Sequence, residues 1–144
     1  MTELSIAGTW TLNTWRKMGD DGNWAYPFGK HPRGILIYAQ DGGMAVQMVV
    51  ADRPKLDTAD PIGGSAEERA GAYSSCLSYF GAYEVQADKV IHKVDAALFP
   101  NWSDTEQARP FVFKDNELVL QVKDAEGNVT SEILWERKAQ SAAG

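Results

Sequence analysis

The sequence predicts an all-β fold: a single antiparallel up-and-down β-barrel of about eight strands with one short helix. Three observations point there. Short segments of alternating apolar and polar residues recur along the chain, separated by Gly, Asp and Asn turns. Only residues 66–77 carry a helical period. Five Trp, five Tyr and five Phe supply the rings that fill barrels and line ligand sites. A chain of 144 residues fits one domain, 1–144, with its core over about 6–138. Residues 139–144 are small and polar, and are expected to fray.

The elements follow in order. Gly8 to Trp15 alternates Trp10, Leu12 and Thr14 against Thr9, Thr11 and Asn13, and Gly19 to Asn23 is a turn. Gly34 to Gln40 is a strand, Asp41-Gly42-Gly43 a tight hairpin turn, and Met44 to Val50 the returning strand. Met44, Val46, Met48 and Val50 share one face. Asp52 to Gly64, with two prolines and two glycines, is a loop, and a local Asp52–Arg53 ion pair is expected at its start. Ser65 with Glu68 forms a capping box. Ala66, Ala70, Tyr73 and Leu77 then recur at helical spacing, which predicts one amphipathic helix. The remaining strands are Tyr79 to Val85, Lys89 to Leu98, Pro110 to Phe113, Glu117 to Lys123 and Val129 to Arg137.

Composition excludes several roles. A net charge of −6 and a pI near 4.8 argue against nucleic acid as a partner. No apolar run is long enough for a membrane span, and the first twenty residues lack the apolar stretch of a signal peptide. Cys76 is the single cysteine, so no internal disulfide forms. Together these favour the cytoplasm. His31 and His92 are the only histidines, no metal-ligand spacing occurs, and no phosphate loop is present. No cofactor and no metal are expected.

A set of motifs carries a family likeness: Gly8-Thr9-Trp10, Tyr26-Pro27-Phe28-Gly29, Gly34 with Tyr38, Asp52-Arg53-Pro54, and Tyr79-Phe80-Gly81 with Tyr83. Phe99-Pro100-Asn101-Trp102, Gln107 with Arg109, and Trp135-Glu136-Arg137 complete it. In this order the motifs resemble those of the bacterial and fungal lipocalin-like domain family, over residues 8 to 137. The resemblance implies a calycin-type barrel with Trp10 closing one end. It implies no single activity, since barrels of this shape include carriers as well as isomerases, cyclases and lyases.

Candidate site residues follow from strand faces. Val90, His92, Val94, Ala96 and Leu98 share a face that is apolar but for His92, which places His92 inside the barrel. There it is a candidate general acid or base; the alternative is a buried histidine satisfied by a Tyr hydroxyl or a backbone carbonyl. Tyr79 and Tyr83 share a face with Gly81, which either makes room for a ligand or marks a bend in the wall. Tyr83 and Tyr38 are candidate donors to a ligand carbonyl, or else aromatic packing. Arg109 lies beside Phe111 and Phe113 and suits an anionic group. Arg137 is the better candidate for a cap stacked on Trp10. Met48 and Phe111 are expected to line the cavity. Phe99 and Trp102 form an aromatic rim turn, and Trp24, Tyr26 and Phe28 a lid, or a satellite cluster under the loop.

The functional expectation is a cavity for a small, mostly hydrophobic molecule with one polar handle. It is either a cofactor-free isomerase, cyclase or lyase using His92, Tyr83 and Arg109, or a non-catalytic carrier. A third option is a structural subunit whose own side chains fill the barrel. The expected state is a monomer or homodimer.

Overall fold

The computed structural model describes residues 5–138, so the expected fraying of 139–144 lies outside the described residues. The strands are β1 (Gly8–Met18), β2 (Trp24–Ala25), β3 (Arg33–Tyr38), β4 (Gly43–Val49), β5 (Cys76–Gln86), β6 (Lys89–Ala97), β7 (Thr105–Lys114), β8 (Glu117–Lys123) and β9 (Val129–Arg137). Helix α1 (Ala66–Ser74) precedes β5, and a 3-10 turn at Pro100–Trp102 precedes β7. Each strand from β3 to β9 pairs antiparallel with the next, and β1 pairs with both β3 and β9. The result is a closed eight-stranded antiparallel barrel, with β2 a short addition on β1. Closure leaves no long sheet edge exposed to a stray strand.

The boundaries shift where ladder pairing outweighs local signals. β7 begins at Thr105 rather than Pro110. Proline has no N–H to donate, but Pro110 sits where pairing to β6 ends at Lys89 and pairing to β8 has yet to begin at Phe111. Helix α1 ends at Ser74, short of Leu77, because Cys76 and Leu77 enter the ladder with β4 opposite Val49 and Met48.

The helix buries none of its residues, so the expected apolar face is not used. Its ends hold it instead. Glu68 N–H donates to Ser65 Oγ and Ser65 N–H donates to Glu68 Oε1, each at 3.0 Å. At the other end Arg53 donates to the Ala72 carbonyl and to Ser75 Oγ, both at 2.9 Å. Arg53 therefore caps the helix C-terminus, where a cation complements the macrodipole, instead of pairing with Asp52. The ion pairs among the described residues are Arg16–Glu132 and Lys93–Glu84.

One barrel end is plugged. Trp10 is 1% exposed, and its indole N–H donates to the Ile6 carbonyl at 2.9 Å. The Arg137 guanidinium lies 4.2 Å from the Trp10 ring centroid and donates to the Ala7 and Ser5 carbonyls. The N-terminal approach, Trp10 and the end of β9 are thus tied together.

Gly81 resolves the choice left open by the sequence. The ladder slips by one residue between Phe80 and Gly81, where β6 bulges. A Cβ on Gly81 would stand 2.0 Å from the Lys93 carbonyl oxygen, so β6 backbone fills the space and the wall bends there. Gly81→Ala is expected to cost about 1–3 kcal/mol, the usual range for overpacking, read as a lower urea midpoint. An unchanged midpoint would show that β5 and β6 can separate freely.

Candidate functional site

The plug fills the end bearing Gly8, Tyr38 and Arg137. From the other end a cavity of about 420 Å³ enters the barrel. Its wall is mainly apolar: Leu36, Val46, Met48, Leu77, Leu120 and Ile133 come from five strands. Trp15, Trp102 and Trp135 add three indoles.

Three polar groups, Tyr38, His92 and Tyr79, form one buried chain. On β6, His92 is 1% exposed and points inward. Tyr38 at the end of β3 meets its Nε2 at 2.5 Å, and Tyr79 on β5 meets its Nδ1 at 2.7 Å. Tyr79 and His92 line the cavity, whereas Tyr38 stands behind the ring, fully buried. Burial, helped by the nearby Arg109 cation, pushes the His92 pKa from its ordinary 6.5 down to about 3. Burial likewise pushes Tyr79 up to about 12, against the pull of Arg109, and raises Tyr38 well above its usual range. All three groups are therefore uncharged at neutral pH.

A neutral imidazole has one N–H and one bare nitrogen. The Tyr38 hydroxyl has no partner but His92 among the described residues. Were the ring proton on Nε2, Tyr38 would accept it and its own buried proton would go unpaired, a cost of about 1–3 kcal/mol. The favoured arrangement has Tyr38 donating to Nε2 and Nδ1–H donating to Tyr79. Tyr79 then keeps its hydroxyl proton for the cavity.

Arg109 reaches the cavity from β7. Its Nη2 donates to Gln107 Oε1 at 3.4 Å, and Gln107 Nε2 donates to Thr105 Oγ1 at 2.9 Å. The Thr105 hydroxyl donates to the Trp102 carbonyl at 2.6 Å. This line ties the guanidinium to the rim turn without a carboxylate partner. Trp102 also stands edge-on to Tyr79, with ring centroids 5.8 Å apart.

Of the candidates read from the sequence, His92, Arg109, Tyr79, Met48 and Trp102 meet on this cavity. The others do not. Tyr83 packs on Tyr38 with centroids 4.7 Å apart and spends its hydroxyl on the Ala39 carbonyl at 2.8 Å, toward the plugged end. Tyr38 acts only through His92. Phe111 stacks edge-on against Phe113, which itself packs beside Trp10. Phe99 rests on the Trp102 ring at 5.5 Å and does not reach the cavity wall. Trp24 lies outside the barrel, under the Arg16 guanidinium at 4.4 Å. Phe28 touches the site only through Trp15, edge to face at 5.0 Å.

Trp15, Lys17, Gln107 and Trp135 line the cavity and were not singled out for it. A register shift between Leu12 and Thr14 is the reason for the first two. Beyond that bulge the odd residues of β1 turn inward, which no alternation count reveals. Trp15 N–H donates to Ser131 Oγ at 3.2 Å. Trp135 is fully buried, and its indole nitrogen has no hydrogen-bond partner among the described residues.

A family model described as a lipocalin-like domain matches residues 7–139. The chain belongs to the lipocalin-like domain family. Among solved structures, this lipocalin-like protein is similar to a lipocalin-like protein from Bacteroides uniformis, at 12% identity and a TM-score of 0.50, over 92% of this chain and 98% of that one. An uncharacterized protein from Bacteroides eggerthii is similar at 13% identity and a TM-score of 0.47, over 93% and 100% of the two chains. A mutant of the fluorescent protein UnaG follows at 14% identity and a TM-score of 0.41, over 94% and 97%. The first of these likenesses is one of fold. Comparison with curated proteins gives no match. The lipocalin-like barrel is a fold consistent with small-molecule binding. No helix among the described residues is long and apolar enough to cross a membrane. No group of three or more metal-ligating side chains forms among them.

Proposed function

We propose that this lipocalin-like protein binds a small, mostly hydrophobic molecule through one polar handle and holds it without turnover. The observation that carries this reading is the cavity itself: about 420 Å³, mainly apolar, plugged at one end, with His92, Tyr79 and Arg109 among its polar groups. Concave apolar sites with a few convergent polar groups are the usual form of ligand pockets.

The rival reading, a cofactor-free isomerase, cyclase or lyase with His92 as acid or base, has less support. Both ring nitrogens are engaged by tyrosines, and the ring resists protonation until pH falls to about 3. A general base is best placed with a pKa near the working pH and within reach of the proton it takes. Any proton transfer to a ligand would have to pass through Tyr79.

The test is a thermal-shift screen of apolar carboxylic acids, esters, ketones and alcohols. Binding the folded state alone raises the melting temperature by mass action, by about 2.7 kcal/mol of stability at a hundredfold excess over Kd. A ligand that stabilises the protein and is recovered unchanged after long incubation supports the binding role. Turnover abolished by His92→Gln would restore the catalytic one, and no stabilisation by any class would remove both.

A further inference from the structure

The functional reading leaves the chemistry of the handle open, and the cavity lining narrows it. Two cations, Arg109 and Lys17, line the cavity, and not one Asp or Glu does. This is the reverse of the whole chain, where 20 acidic residues outnumber 14 basic ones. Arg109 makes no ion pair among the described residues, and its neighbours Gln107 and Ala108 offer it only neutral oxygens. Half-buried guanidinium groups normally find a carboxylate or phosphate, which their planar fork fits in bidentate fashion.

The neutral polar groups add to the bias. Tyr79 keeps a proton for the cavity because Tyr38 and the Nδ1–H of His92 fill the other side of the chain. The Trp135 indole, which can only donate, is fully buried on the cavity wall with no acceptor among the described residues. Trp15, by contrast, spends its N–H on Ser131.

We propose that the cavity selects ligands whose polar handle is anionic: an apolar molecule bearing a carboxylate, met by Arg109 and the Tyr79 hydroxyl. This rests on the binding reading above and specifies its ligand class. Tyr38 and His92 are positioning residues, since they set the direction of the Tyr79 proton without touching the ligand. A cationic handle, such as an ammonium, meets Arg109 and Lys17 with no carboxylate on the cavity wall and is rejected. Phosphate esters share the charge, but the bulk of their headgroup must pass the Trp102 rim.

The experiment uses dodecanoic acid, dodecanol, methyl dodecanoate, dodecylamine and dodecyl phosphate, with quenching of tryptophan emission as the readout. On the wild-type protein the acid is expected to bind roughly ten- to hundredfold more tightly than the alcohol or ester. That is the range for one or two hydrogen bonds to a charged group, at tenfold per 1.4 kcal/mol. The amine is expected to be weakest, and the phosphate no tighter than the acid. Arg109→Gln should bring the acid down to about the level of the alcohol, while weakening the alcohol far less than the acid. Tyr79→Phe should weaken acid and ester together by roughly tenfold or less. The wild-type comparison needs no variant, so it stands even if a variant fails to fold. Alcohol and acid binding equally would overturn the anion inference while leaving the binding reading intact. Phosphate binding well above acid would replace the carboxylate. No quenching by any of the five would overturn both.

Discussion

Trp10→Ala is expected to lower the free energy of unfolding by about 3–5 kcal/mol, the usual cost of removing a buried large aromatic residue. The position suggests the upper part of that range. Trp10 is 1% exposed, packs beside Phe113 with centroids 6.4 Å apart, and is the platform for the Arg137 guanidinium. Its loss would also strip the Ile6 carbonyl of its indole donor. A buried carbonyl left unpaired adds about 1–3 kcal/mol of its own. Because Arg137 ties the Ser5 and Ala7 carbonyls as well, the N-terminal approach to β1 should loosen with it. Urea unfolding with tryptophan emission or amide circular dichroism measures the change, and Trp10→Phe should recover part of it. A loss below about 1 kcal/mol for Trp10→Ala would show that the plug does not hold the barrel.

The second large effect is on acid stability. His92 has a folded pKa of about 3 against an ordinary 6.5. A depressed histidine pKa means that the folded state resists the proton and the unfolded chain takes it. Between about pH 6.5 and 3 the unfolded chain therefore binds the extra proton, and stability falls as pH falls. The slope is up to about 1.4 kcal/mol per pH unit and levels off below the folded pKa. Above about 6.5 the two states match and the residue adds no slope. The groups around the ring offer no relief: Tyr38 and Tyr79 stay neutral, and Arg109 repels the proton. Glu132, Glu68, Asp21 and Asp124 have lowered pKa values and also lose stability in acid, but they do so below the ordinary carboxylate range. The window from about pH 6.5 to 4.5 is thus largely the histidine's. Urea midpoints across that window should fall steeply for the wild type and stay nearly flat for His92→Gln. Equal slopes would show that His92 takes its proton in the folded state.

Several parts of the site were legible in the residues. His92 between Val90 and Val94 announces an inward polar group, because alternation holds up to the bulge after Val94. Beyond it Ala97 turns inward, and Ala96 and Leu98, expected on the same face as His92, turn outward. Arg109 was legible from the face it shares with Phe111 and Phe113. Trp24 and Phe28 were not, because a loop has no period from which to read a direction. Trp24 ended under Arg16, outside the barrel, and Phe28 against Trp15. Tyr83 obeys alternation and still misses the cavity, since facing inward says nothing about height along the barrel. Its backbone N–H donates to the Gly42 carbonyl in the β3–β4 hairpin, which sets it on the plugged side, where the Ala39 carbonyl takes its hydroxyl.

The amino-acid sequence alone determined the class of fold, the order of the strands, the capping box at Ser65 and the stacking of Arg137 on Trp10. The first three rest on local pattern: period-two alternation, turn residues at short intervals, and Ser65 three residues before Glu68; the Arg137 cap on Trp10 is what the family resemblance implies. Only the tertiary structure decided the rest of the cavity's lining. One extra residue near Asn13 turned Trp15 and Lys17 inward, and a second bulge beside Gly81 bent the wall that carries Tyr79. Barrel closure through β1 and β9 then brought Trp135 to the same space as residues far from it in the chain. The proton order along Tyr38, His92 and Tyr79 arises from three strands meeting across the interior. Such contacts depend on bulges and closure, which a side-chain period of two cannot encode.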